Sequence, residues 1–243
     1  MISFLSVFCL AALAVTAAAE CEWRGGFFVV ATPYRTGSTV LFNVVRLIAE
    51  LNDPNTISGY EISRGRIDGW LSFGVPVVVK THSYQSIYAN ASPTAVFTAH
   101  RPLPDVVWSM ISLRRAESAR KTVRAICADL ASSYKKSSVI HENGLLKGDY
   151  DYGDIASDLR RVVSHVAGVM GSCGGEELID QVTALVGKLR PVSLSLYAEN
   201  PRTLMLRHHV TQKNDGYDRV YNEAMSPDRC GALVKYGHSD IPY

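Results

Sequence analysis

Two sets of residues in this 243-residue chain have the types and spacing to act on an anion: a loop bearing Arg35, Gly37, Ser38 and Thr39, and the pair Lys80 and His82. The loop, Thr32 to Thr39, follows an apolar run, Phe27 to Ala31, that reads as a strand. After it, apolar residues fall at Val40, Leu41, Val44, Val45, Leu47, Ile48 and Leu51, the spacing of a helix with one buried face. A loop that opens a helix presents amides without intrahelical partners, at the end where the macrodipole favours an anion. Gly37 allows close backbone approach, Ser38 and Thr39 add hydroxyls, and Arg35 supplies a planar cation suited to phosphate or sulfate oxygens. The same residues would also serve an ordinary strand-to-helix turn. A Walker loop is disfavoured, because Thr32 stands where its first glycine belongs and Ser38 where its lysine belongs.

Lys80-Thr81-His82 ends a second apolar run, Val75 to Val79, whose β-branched residues suit a strand covered on both faces. Ligands of open α/β sheets bind at the carboxyl ends of strands, and residues two apart on an extended chain share a side, so Lys80 and His82 can reach one bound group. Singly, each would be an ordinary solvated boundary residue; together beside an anion loop they point to catalysis. A third run, Ala95 to Ala99, leads to Arg101 and then to a helix with Pro104 and Asp105 in its first turn and Ser109 one turn further. Ser109 reads either as a tolerated small helix residue or as part of a second anion site shared with Arg101.

These segments are positioned by a chain that is 47% hydrophobic and 20% charged, enough for one full core. The fold class that follows is α/β: a three-layer sandwich with a central, mainly parallel sheet and a phosphate-binding strand-loop-helix. Further helices are expected from Ile155 to Met170, ending near Gly171, and from Glu176 to about Leu189. Asn52 to Gly74 reads as irregular structure or a short helix over the site, and the tail from Thr203 as a loop folded over it or a fraying end. A formal net charge of +2 is too mild for a nucleic-acid partner, so any cationic site is local. Residues 1–19 form an uncharged apolar and small-residue segment ending in Ala17-Ala18-Ala19, read as a signal peptide in preference to an uncleaved membrane anchor. Residues 20–243 then form a single domain in the lumen of the secretory pathway or outside the cell. Cleavage would leave Cys21, Cys127, Cys173 and Cys230, for which three complete pairings are open. Their wide spacing argues against zinc. Asn90-Ala91-Ser92 could accept a glycan, with Pro93 acting against it.

Taken in order, these motifs resemble the sulfotransferases that use 3′-phosphoadenosine-5′-phosphosulfate (PAPS). Thr32 to Leu41 is similar to the family's T-Y-P-K/R-S-G-T-T-x-L, with proline and tyrosine exchanged, and Lys80-Thr81-His82 matches its strand-ending K-T-H. Arg101, Asp105 and Ser109 fall in register with R-N-P-x-D-x-x-x-S, with a proline at the asparagine position. Tyr152-Gly153-Asp154-Ile155 looks like Y-E-D-L without its glutamate, and the lid R-K-G-x-x-G-D-W is matched loosely by Arg207 through Tyr217, where Lys213 and Gly216 are the candidates. The resemblance implies transfer of a sulfuryl group from PAPS to a hydroxyl acceptor by in-line displacement, without a metal. It assigns the 5′-phosphosulfate to the loop amides with Thr36, Gly37, Ser38 and Thr39, the 3′-phosphate to Arg101 and Ser109, and the adenine to Tyr152. His82 becomes the base, with Lys80 and Arg35 stabilising charge on the transferring group. Arg35 holds the place of a family lysine and, because arginine does not readily give up a proton, is assigned an electrostatic role. Rival readings are a kinase-like phosphoryl transferase, which would need magnesium, and a non-catalytic nucleotide or sulfated-glycan binding protein. The acceptor is not legible; export favours a carbohydrate or a protein, and a membrane association would follow only from an uncleaved N-terminal segment.

Overall fold

The computed structural model describes residues 23–60, 63–82, 84, 88, 90–116, 123–142, 144–189, 216–219, 222 and 230. The segment read as a signal peptide and Lys213 lie outside these residues. Among them the chain runs β1 (Phe27–Ala31), α1 (Ser38–Asn52), β2 (Ile57–Tyr60), α2 (Arg64–Leu71), β3 (Val77–Thr81), β4 (Ala95–His100), α3 (Leu103–Ala116), α4 (Val123–Glu142), β5 (Leu146–Asp151), α5 (Tyr152–Ser157), α6 (Leu159–Met170) and α7 (Gly175–Leu189). The five strands form one sheet in the order β2-β3-β1-β4-β5, every pairing parallel.

β1 is central and every one of its residues is buried, because its alternating side chains feed two layers. Phe28 and Val30 enter a core with α1, α6 and α7, whereas Phe27, Val29 and Ala31 pack with Ile67 of α2 and Ile140 of α4. A third cluster joins α3 and α4 through Trp108, Val107, Ile126 and Leu130. The chain crosses from β1 to the β2-β3 side and returns to β4 on the other, so the carboxyl end of β1 is the topological switch point where open sheets bind ligands.

Three expectations are corrected. Asn52 to Gly74 contains an edge strand, β2, as well as the short helix α2. The helix expected from Ile155 to Met170 is two, because the Asp158 side chain accepts from the Arg161 amide and starts α6 anew. α1 is buried around most of its circumference, including Asn43 and Arg46, while Leu51 is exposed. Arg46 donates from Nε and Nη2 to Asn43 Oδ1 and pairs with Glu50 at 2.6 Å, which offsets the cost of burying its charge. Gly59 allows α2 close to the sheet: a Cβ there would lie 2.5 Å from the Trp70 ring.

Cys127 of α4 is disulfide-bonded to Cys230, with Cα atoms 5.2 Å apart, so the tail returns to the body of the domain. Cys173 is also disulfide-bonded. Because the Cys127–Cys230 link spans 103 residues, Cys127→Ser is expected to lower unfolding free energy by about 2–4 kcal/mol in urea denaturation of the oxidised protein.

Candidate functional site

Helix α1 begins at Gly37, whose φ of 96° is in the left-handed region and whose neighbour Arg35 also has positive φ, 67°. Two such residues in one short turn direct successive amides to the same concave side, and no side chain caps the helix start. Gly37 is required twice over, since a Cβ would stand 2.9 Å from the Tyr152 ring. Thr36 spends its buried hydroxyl on Pro33 O at 2.9 Å, which fixes the turn and leaves its backbone to serve a ligand. Ser38 is buried in the first turn of the helix.

The neighbouring strands deliver the cations to this turn. Lys80 lies beside Val30 and Tyr60 in the parallel register, so it projects toward α1, where its Nζ donates to Thr39 Oγ1 at 2.7 Å. Its ammonium also stands 5.6 Å from the centre of the Tyr60 ring. Arg35 donates from Nε to Ser109 Oγ at 2.7 Å across the switch point. Ser109, read as a tolerated small helix residue or a partner of Arg101 in an anion site, is buried and accepts from Arg35. Arg101 lies over the Tyr152 ring at 4.4 Å, 3.7 Å from Asp105, and its buried Nε makes no hydrogen bond.

The structure therefore gathers Arg35, Gly37, Thr39, Lys80, His82, Arg101, Ser109 and Tyr152 around one turn at the carboxyl ends of β1, β3 and β4. Three solved structures share the fold that carries them. The mouse sulfotransferase SULT7A1 complexed with PAP superposes with a TM-score of 0.56 at 11% identity, over 89% of this chain and 84% of that one. The chain has the sulfotransferase fold. Retinol dehydratase in a complex with retinol and PAP gives 0.53 at 16% identity, over 92% and 84% of the two chains. The same enzyme with androsterone and inactive cofactor PAP gives 0.53 at 15%, over 89% and 82%. No family model and no curated protein matches the sequence.

Within the sulfotransferase fold, the histidine that ends the K-T-H run has an unusual setting. His82 Nδ1 is 3.0 Å from Thr32 O, and a carbonyl can only accept, so the neutral ring carries its proton on Nδ1 and its lone pair on Nε2. The rings of Tyr34 and Tyr60 flank it, with centroids at 4.2 and 5.7 Å. Both tyrosines escaped sequence reasoning: Tyr34 looked like a displaced motif letter and Tyr60 ends a strand too short to recognise. Gly216, singled out by the lid resemblance, stands in a turn, and Tyr217 after it donates from its hydroxyl to Asp105 Oδ1. His100, beyond the expected set, pairs with Asp149 at 3.1 Å, and this hydrogen bond raises its pKa.

Burial first, then the charges of Lys80 and Arg35, hold the His82 pKa down at about 3, against a smaller upward pull from the Thr32 carbonyl. An unfolded chain would protonate this ring near 6.5, so between about 6.5 and about 3 the unfolded state holds more protons. Stability from this group accordingly falls as pH drops through that window, with a limiting slope of about 1.4 kcal/mol per pH unit. Imidazole NMR of the nucleotide-free protein is expected to show His82 neutral and Nδ1-protonated from about pH 7.5 to about pH 5; a midpoint near 6.5 would mean a solvated ring.

Proposed function

We propose that this protein is a PAPS-dependent sulfotransferase acting on a hydroxyl-bearing acceptor. The observation that carries the reading is the convergence of a neutral His82, Lys80 and Arg35 on the uncapped start of α1. The residues present fit the nucleotide. Arg101, at the end of β4, places its guanidinium over Tyr152, whose ring lies against Gly37, so a cation and an aromatic face stand beside the turn where the 3′-phosphate and the base would lie. When bound, PAPS supplies an activated sulfuryl group on a phosphate leaving group.

The chain's own residues then have distinct tasks. The amides of Thr36, Gly37, Ser38 and Thr39 hold the 5′ end, where the helix dipole stabilises negative charge. Arg101 holds the 3′-phosphate, and Tyr152 supports the base. Lys80, fixed by Thr39, and Arg35, fixed by Ser109, offset charge that develops on the transferring oxygens and the leaving oxygen. His82 takes the acceptor's proton at Nε2. Its low pKa makes it a weak base, but one that is fully unprotonated at neutral pH. The strongest acceleration then comes from placing the acceptor hydroxyl in line, a role that the Tyr34 and Tyr60 rings beside His82 are built to share.

The proposed setting is the lumen of the secretory pathway or the extracellular space. The apolar segment at residues 1–19 and the Cys127–Cys230 bond support it, and Asn90 is exposed, as a glycan site would need. A carbohydrate or protein acceptor is the reading that agrees with this setting.

Transfer of labelled sulfuryl from PAPS to a panel of carbohydrate, tyrosyl-peptide and phenol acceptors tests the activity. His82→Ala is expected to lower kcat by about 10²–10⁴-fold while leaving PAP affinity within about twofold. Full-rate transfer by that variant would remove His82 as the base.

A further inference from the structure

One titratable side chain beside the nucleotide site has no task in the mechanism above. His100 ends β4 opposite Asp151 of β5 in the parallel register, and Asp149, two residues earlier on β5, shares that face of the sheet. His100 Nδ1 is 3.1 Å from Asp149 Oδ1, and its Nε2 is 3.5 Å from Asp151 Oδ2. A neutral imidazole has one N–H, so a ring with a carboxylate at each nitrogen is arranged as an imidazolium. Asp154 of α5 adds a third negative charge and is itself paired with Arg161 of α6 at 2.6 Å. The Asp149 hydrogen bond first, then the charges of these three aspartates, raise the His100 pKa above the ordinary 6.5, against the opposing effect of burial. The side chain keeps 32% of its surface exposed, so protons reach it.

The cluster adjoins both groups assigned to the nucleotide. Arg101 is the next residue after His100. Asp151 caps α5 by accepting from the Gly153 amide, and Tyr152, the first residue of that helix, lies under the Arg101 guanidinium and against Gly37. We propose that His100 is a positioning residue whose imidazolium, bridging Asp149 and Asp151, couples nucleotide binding to the uptake of a proton. With the ring charged, one positive charge offsets the aspartates next to Arg101, and Asp151 is oriented to cap the helix that carries Tyr152. With the ring neutral, the same cluster is one charge more negative beside the place of an incoming phosphate. No side chain has to leave its partners for this, because the change is in charge. By linkage, nucleotide binding and His100 protonation favour each other equally. The inference rests on the reading of Arg101 and Tyr152 as nucleotide ligands.

Calorimetric titration of the oxidised full chain with adenosine 3′,5′-bisphosphate from about pH 6 to about pH 9 tests the coupling, with His100→Gln as the comparison. Glutamine keeps a donor but cannot take up a proton. The ratio of wild-type to variant affinity cancels ionisation of the nucleotide's own phosphates, and His82, held at about 3, does not titrate in this range. That ratio is expected to fall from about fivefold at the acid end to about one at the alkaline end. A ratio that stays constant would show a merely structural histidine and overturn the proposal. Imidazole NMR of the wild-type protein gives a second reading that needs no substitution: saturating bisphosphate is expected to move the His100 midpoint upward, and an unmoved midpoint would overturn the proposal as well. A protein that binds no bisphosphate at any of these pH values would instead sink the nucleotide reading itself, and this inference with it.

Discussion

A lysine ammonium cannot be buried beside an apolar strand unless something accepts its protons, and the bond from Lys80 Nζ to Thr39 Oγ1 meets that demand. It also ties the end of β3 to the first turn of α1. Thr39 therefore cannot shift without exposing a buried charge, and the turn that precedes it is held by the same bond. Farther along the helix, Asn43 Nδ2 donates to Thr39 O, and Arg46 and Glu50 continue the polar chain. A ligand arriving at this turn meets amides and cations already in place, so little ordering entropy remains to be lost on binding.

How much of this the letters announced depends on the distance over which each signal acts. β1 with α1 was legible because five buried apolar residues and a helical period lie on either side of an unbroken loop. β2 was hidden: four residues, Ile57–Tyr60, one of them glycine, give no alternation to read. β5 carries Lys147, Gly148 and Asp149 in its middle, a composition that usually marks a turn. The apolar period runs unbroken from Ile155 to Leu159, four residues apart, which concealed the fresh helix start at Asp158. The buried arginine of α1 escaped for a similar reason, since a charge on a helix ordinarily marks the solvated side.

The candidate site was legible as a set of strand ends and illegible as a set of contacts. Arg35, Lys80, His82 and Arg101 each follow or finish an apolar run, so the rule for parallel sheets brings them to one edge. Which side chain meets which is decided across gaps of 74 residues for Arg35 with Ser109 and 112 for Asp105 with Tyr217, where spacing carries no information. The cysteines behaved alike: their even number left three pairings open, and the return of the tail to α4 selected Cys127 with Cys230.

The near contact of Gly59 with Trp70 reaches further than its own strand. The indole occupies space that any side chain at position 59 would claim, so the separation between α2 and the sheet is set by a hydrogen atom. The next residue is Tyr60, whose ring stands against His82 and beneath the Lys80 ammonium. One methyl group added at that glycine would have to push the indole outward, one residue away from the ring that packs on His82. The spacing beside that histidine is thus written where the chain has no side chain at all.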